Sequence, residues 1–153
     1  MRDKNGRSHW LGPFFIAPDT SPENETMTRD RDFYLDVVVN GYFGAMDSGD
    51  LEGTLDCFAP NATLTWETND LVLTGRDEIH AFFAEFIANT NMRLHEVRNA
   101  VVDTEKETCA VEIRYRSDIK DGPNVDMENC NFFDFGASGK FTRVHFWSGR
   151  IVA

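Results

Sequence analysis

The chain has 153 residues and a formal net charge of −11, with an isoelectric point near 4.7. An acidity of this size repels phosphate backbones and anionic lipid, which excludes nucleic acid and membrane surfaces as natural partners. With 41% apolar and 27% charged residues the composition is that of one globular domain, and no apolar run approaches the roughly 20 residues that span a bilayer.

Residues 1–26 hold three of the five prolines, mixed with Gly, Ser, Asn and Thr without periodicity. They read as a flexible leader, and 27–153 as the folded domain. The apolar run Trp10–Ala17 is short and broken by Gly12 and Pro13, a poor match to a signal peptide. A helix is predicted over 30–47, because Leu35, Val38, Val39, Tyr42 and Met46 recur at spacings of three and four. Three successive valines with Gly41 and Gly44 are weak helix formers, so packing has to hold this helix. Gly49 and Asp50 read as a C-cap followed by an N-cap. A short second helix carries Leu51, Leu55 and Phe58 and is expected to stop at Pro60-Asn61.

Residues 62–67 alternate and are rich in threonine, predicting a strand with Leu64 and Trp66 on one face; 71–74 predicts its partner. Thr74 and Asp77 resemble a capping box ahead of a helix over 76–89, whose stripe is Ile79, Phe82, Phe83 and Phe86. The period then changes to two. Residues 93–102 place His95, Val97, Asn99 and Val101 on one face, and 103–107 turn the chain. Residues 109–117 turn Val111, Ile113, Tyr115 and Ser117 inward and Glu112, Arg114 and Arg116 outward. Residues 126–135 place Met127, Asn129, Asn131 and Phe133 on one face, and 140–148 form the last strand, with His145 and Trp147 outside. Three helices and a short strand pair followed by a four-strand antiparallel meander define an α+β fold, a curved sheet wrapped around helices.

The acidity is uneven: 27–91 carries a net −9 and 92–153 a net −1, so the charge belongs to the helical half. Cys57, Cys109 and Cys130 are odd in number and far apart, which reads as reduced thiols in a cytoplasmic protein. Four scattered histidines lack metal-ligand spacing, and no Gly-rich phosphate loop or serine elbow is present in the sequence. Neither a metal nor a cofactor is expected.

Three segments carry a family resemblance: Tyr42-Phe43 with Met46-Asp47, Gly49-Asp50, Phe58 and Ala62; Leu73-Thr-Gly-Arg-Asp-Glu-Ile79; and His95, Asn99 and Val102-Asp103. Together they resemble the nuclear transport factor 2-like superfamily, closest to its SnoaL-like polyketide cyclase, ketosteroid isomerase and dehydratase branches. The resemblance covers about residues 30–150. It implies a cone-shaped α+β barrel, with three N-terminal helices packed in a curved, mainly antiparallel sheet, a pocket at the open end and a homodimer through the sheet. The fold carries many activities, so chemistry has to be argued from the site.

The resemblance assigns Tyr42 as a hydrogen-bond donor to a substrate oxygen, His95 as the group that moves a proton, and Asp47 as its support. A phenol can meet developing negative charge, and an imidazole can exchange a proton near neutral pH. The inward amides Asn129 and Asn131, with Tyr115 and Ser117 beside them, are costly to bury without partners and fit ligand hydroxyls or carbonyls. Trp66, Phe82, Phe86, Val111, Ile113 and Met127 would supply apolar walls for a hydrophobic small molecule. Some family features are missing. Trp66 stands where ketosteroid isomerases have a base aspartate, and Asn129 where they have a second one; Arg116 breaks the Arg-x-Asp pattern of the epoxide hydrolases. Two functions are compatible with this pattern: a cofactor-independent enzyme that dehydrates, isomerises or cyclises an oxygenated hydrophobic molecule, or a non-catalytic ligand-binding or dimerisation module of the same fold.

Overall fold

The computed structural model describes residues 29–151. The leader expected over 1–26 lies outside them.

The first helical rod runs in three parts: α1 (Arg31–Asp36), a π-helical stretch (Val37–Phe43) and α2 (Gly44–Ser48). Asp30 caps it, its carboxylate accepting the Phe33 N–H at 2.9 Å. Gly49, at φ 78°, ends it in the left-handed region. Asp50 then caps α3 (Leu51–Asp56) by accepting the Gly53 N–H. The predicted cap pair is therefore present.

The expected end of the second helix at Pro60 is corrected. Cys57 closes α3, and Phe58 opens β1 (Phe58–Trp66), with Pro60 inside the strand. Proline is tolerated there because the ladder to the neighbouring strand is interrupted between Phe58 and Thr63, where no N–H is required. A 3₁₀ turn (Glu67–Asn69) leads to β2 (Leu71–Thr74) and then α4 (Arg76–Ala88). The cap of α4 also differs from expectation. Gly75 takes the N-cap position, and Glu78, not Asp77, reaches back to accept the Thr74 N–H at 2.7 Å.

Strands β3 (Thr90–Asp103), β4 (Thr108–Ile119), β5 (Val125–Phe135) and β6 (Phe141–Ile151) form the predicted meander. The sheet has six strands in the order β2-β1-β6-β5-β4-β3. β1 and β6 pair in parallel; every other pair is antiparallel. The sheet curves without closing, and α4 connects its two edge strands, β2 and β3.

Alternation holds along β4 and β5 but fails along β3. A bulge between Val97 and Asn99 shifts the register, so that Val97 faces Ile113 while Asn99 faces Glu112. Beyond it Ala100 and Val102 pack on the core, and Asn99 and Val101, expected inside, are exposed, Val101 at 63%. The core itself is aromatic. The Tyr42 ring sits within 6.0 Å, centroid to centroid, of Phe43, Phe58, Phe83, Phe133 and Phe141, four of these contacts edge-to-face.

Candidate active site

Between the helices and the concave face of the sheet lies a cavity of about 110 Å³. The helical rod contributes Tyr42, Phe43 and Met46 to its wall, and α4 contributes Phe82 and Phe86. From the sheet come Trp66, His95, Ile113 and Tyr115, then Met127, Asn129, Asn131, Phe146 and Ser148. Ten of the thirteen residues expected at a site therefore meet around one space. Asp47 stands behind His95. Val111 is buried in the core away from the cavity wall. Ser117 lines an adjoining hollow of about 310 Å³, which shares Trp66, Phe82, Phe86, Tyr115 and Met127 with the first.

His95 and Asp47 form the most organised group. Asp47 Oδ1 is 2.5 Å from His95 Nδ1, and Oδ2 accepts the His95 main-chain N–H at 3.0 Å. A carboxylate only accepts, so the Nδ1 that faces it carries a proton, and in the neutral ring the lone pair then lies on Nε2. The imidazole is clamped between Phe43, stacked at 4.8 Å and 16°, and Tyr115 at 4.7 Å, and its side chain is only 7% exposed. Tautomer, position and tilt are thus all fixed.

Asp47 occupies the last turn of α2, where a negative charge opposes the helix dipole. Its two hydrogen bonds to His95 offset that cost. Arg93 adds local support: Nε donates to the Met46 carbonyl at 2.9 Å, and Nη1 to the carbonyls of Ile87 and Thr90 at 3.2 and 3.0 Å. One guanidinium ties the ends of two helical segments to β3, two residues before His95.

The two cavity tyrosines differ. The Tyr42 ring packs in the aromatic core, and burial pushes the pKa of its hydroxyl far up, with a smaller push from the Cys57 thiol. Burial also raises Tyr115, opposed by Ser117 and the Arg93 guanidinium, so the phenol stays protonated at neutral pH. Ser117 lies beside Tyr115 without a directed hydrogen bond. Among the described residues, Tyr115 Oη, Ser117 Oγ, Asn129 Oδ1 and Asn131 Oδ1 are buried and find no partner. Trp66, by contrast, is satisfied, its indole N–H donating to Ser148 Oγ at 3.0 Å while its ring stacks on Phe146. Glu67 faces away, as expected, its carboxylate 3.8 Å from His145.

Phe43, Met46, Phe146, Ser148 and Arg93 were not among the expected site residues. Phe146 and Ser148 were accessible from alternation, since they flank the outward Trp147. Phe43 was not, because the π-helical stretch turns it onto the same face as Tyr42.

These features define a small α+β domain whose sheet and helices enclose an apolar cavity with a His–Asp pair in its wall. The SnoaL-like domain family model matches residues 39–144, and the chain belongs to that family. No curated protein matches the chain. Several solved structures share the fold. One is the epoxide hydrolase/cyclase-like enzyme SalBIII, described in pyran ring formation in the polyether salinomycin: 19% identity, 78% of this chain and 93% of that one, TM-score 0.70. A second is AusH from Aspergillus nidulans: 18% identity, 80% and 88% coverage, TM-score 0.69. A third, from Catenulispora acidiphila, has a ketosteroid isomerase-like fold and was solved with trimethylamine: 16% identity, 71% and 82% coverage, TM-score 0.64. No helix among the described residues is long and apolar enough to cross a membrane.

Proposed function

We propose that the protein is a cofactor-independent enzyme that moves a proton on a hydrophobic, oxygenated small molecule, giving dehydration, isomerisation or cyclisation. The observation that carries this reading is the Asp47–His95 pair, joined by two hydrogen bonds at the wall of a mostly apolar cavity. His95 Nε2 takes a proton from carbon, and Asp47 stabilises the imidazolium that forms. In a dehydration the electron pair left on carbon becomes the new double bond, and the departing hydroxide takes up the proton held by His95. In an isomerisation the same proton returns at another carbon. Asn129 and Asn131 orient the substrate, and Trp66, Phe82 and Phe86 exclude water. The resemblance gave the hydrogen bond to the substrate oxygen to Tyr42; the buried, unpartnered hydroxyl of Tyr115 beside His95 fits it better.

A substrate-independent assay tests this. Exchange of the protons next to the carbonyl of a hydroxylated decalone is followed by NMR in deuterated water. Catalysed exchange is expected with the native protein and none with His95→Ala; Tyr115→Phe is expected to lose more than Tyr42→Phe. Full exchange by His95→Ala overturns the mechanism, and the reverse ranking of the tyrosines returns the donor role to Tyr42. Absence of isomerase-type carboxylates at Trp66 and Asn129 favours the second reading, a binding module, which predicts no exchange by the native protein.

A homodimer through the outer face of the sheet belongs to the same proposal, as does a cytoplasmic setting, which the free thiols of Cys57, Cys109 and Cys130 support. Phe132, His145 and Trp147 pack edge-to-face on that outer surface, with Phe132 37% and Trp147 43% exposed. Sedimentation is expected to give a dimer for the native chain and a monomer for Trp147→Glu; a native monomer rejects the dimer.

A further inference from the structure

We infer that Arg93 is the positioning residue of the Asp47–His95 pair, and that position 49 is glycine in part to seat its guanidinium. The inference rests on that pair's being the working group of the proposed enzyme, and it assigns the residue that sets the pair's geometry.

Arg93 stands apart from the neighbouring arginines in its partners. Arg98 and Arg116 pair with Glu96, Arg114 with Asp126 and Arg143 with Asp134. Arg93 turns instead to main-chain carbonyls. Its Nε donates to Met46, and its Nη1 to Ile87 and Thr90. Nη1 also donates at 2.5 Å to Thr90 Oγ1, which gives its own proton to the Phe86 carbonyl at 2.9 Å. Met46 lies in the last turn of α2, Phe86 and Ile87 in the last turn of α4, and Thr90 opens β3. Each helix end carries partial negative charge, and Asp47 adds a full charge to one of them. A guanidinium shared between the two ends lets them converge, and its planar fork fixes the angle at which they do.

These bonds act next to the pair. Arg93 and His95 are successive inward residues of β3, in regular register with Ser117 and Tyr115 of β4, so both side chains leave one strand on the same face. Met46 and Asp47 are successive residues of α2. The strand therefore holds the rod at two adjacent points, Arg93 on the Met46 carbonyl and His95 on the Asp47 carboxylate. The first contact uses no atom of the pair, so it sets the distance from α2 to β3 independently. Asp47 keeps 21% of its side chain exposed, and a looser rod would let the carboxylate turn to water.

Gly49 lies against the same guanidinium. A Cβ there would stand 3.1 Å from Arg93 Nη2 and 3.8 Å from Ile87 Cγ2. The φ of 78° alone would admit asparagine at modest cost. Its Cβ would still displace a guanidinium that is held by four hydrogen bonds.

NMR of the His95 ring tests the assignment without turnover, and proton exchange on the hydroxylated decalone tests it with turnover. The native chain is expected to show a hydrogen-bonded Nδ1 proton far downfield of the amides. Arg93→Lys keeps the charge but lacks the fork that spans two helix ends. It is expected to fold, to lose that signal, and to lower exchange about tenfold or more, through kcat rather than KM. Gly49→Asn keeps both Arg93 and the left-handed turn, and is expected to move the same signal in the same direction; it carries the test if Arg93→Lys does not fold. Lys120→Met is the control. Lys120 Nζ donates to the Ala88 carbonyl at 2.6 Å, so this change removes a cation from the same end of α4 without touching the rod. It is expected to leave the His95 signals as in the native chain. Native His95 signals in either folded variant, a shift with Lys120→Met as large as with Arg93→Lys, or no Nδ1–H tautomer in the native chain overturns the inference. Absence of exchange by the native chain would sink the enzymatic reading, while the His95 signals would still decide this one.

Discussion

Replacing Asp47 by Asn is expected to lower turnover by about ten-thousandfold while leaving the fold intact. An amide has nearly the shape of the carboxylate but carries no charge, and its NH₂ can point at His95. The ring proton is then free to move from Nδ1 to Nε2, the nitrogen that has to accept. In catalytic triads the same loss of tautomer costs about four orders of magnitude. Nitrogen chemical shifts of the His95 ring give an independent readout, because the native protein is expected to show a single Nδ1–H tautomer and Asp47→Asn a mixture. Turnover within about threefold of native would remove Asp47 from the mechanism.

The largest loss of stability is expected from Phe141→Ala. Phe141 is fully buried and opens β6, where its N–H donates to the Cys57 carbonyl at 2.7 Å and its main chain pairs with Phe58 across the parallel junction. Its ring meets Tyr42, Phe58, Phe133 and Phe135 at 4.9–5.5 Å. Emptying such a position costs about 3–5 kcal/mol. For a domain of this length that corresponds to a fall in melting temperature of about 10 °C or more. Differential scanning calorimetry measures it, and a fall of only a degree or two would mean that the cluster repacks around the gap.

The two substitutions probe parts of the molecule that were unequally legible in the sequence. Strands β4 and β5 could be read because each has one buried and one solvated face. The alternation therefore placed Ile113, Tyr115, Met127, Asn129 and Asn131 on the cavity side. The caps at Gly49 and Asp50 were legible for an equally local reason, the chemistry of a helix end. Features that depend on distant partners were not. The parallel β1–β6 pairing leaves no mark in either strand, and without it Phe58 and Pro60 look like the end of a helix. The bulge in β3 adds one residue to a period of two and reverses the faces of Asn99 to Val102. Arg93 resembles any charged strand residue until the carbonyls of two helical segments converge on it. His95 and Asp47 were each visible, but 48 positions separate them, and only the fold brings them into one hydrogen bond.

The π-helical stretch Val37–Phe43 bears on how this site could be altered by insertion and deletion. Each residue in an α-helix advances the chain by about 100°. The wider turns take up an added residue without changing the direction of the rod, so α2 keeps its own phase. A relative shortened by one residue here, and wound as plain α-helix, would carry its carboxylate about 100° away from the imidazole while Gly49 still ended the helix. A single codon in the valine run thus separates a chain with an acid–base pair from one with an intact sheet and no pair, and aligned relatives should be compared at that position before their aspartates are equated.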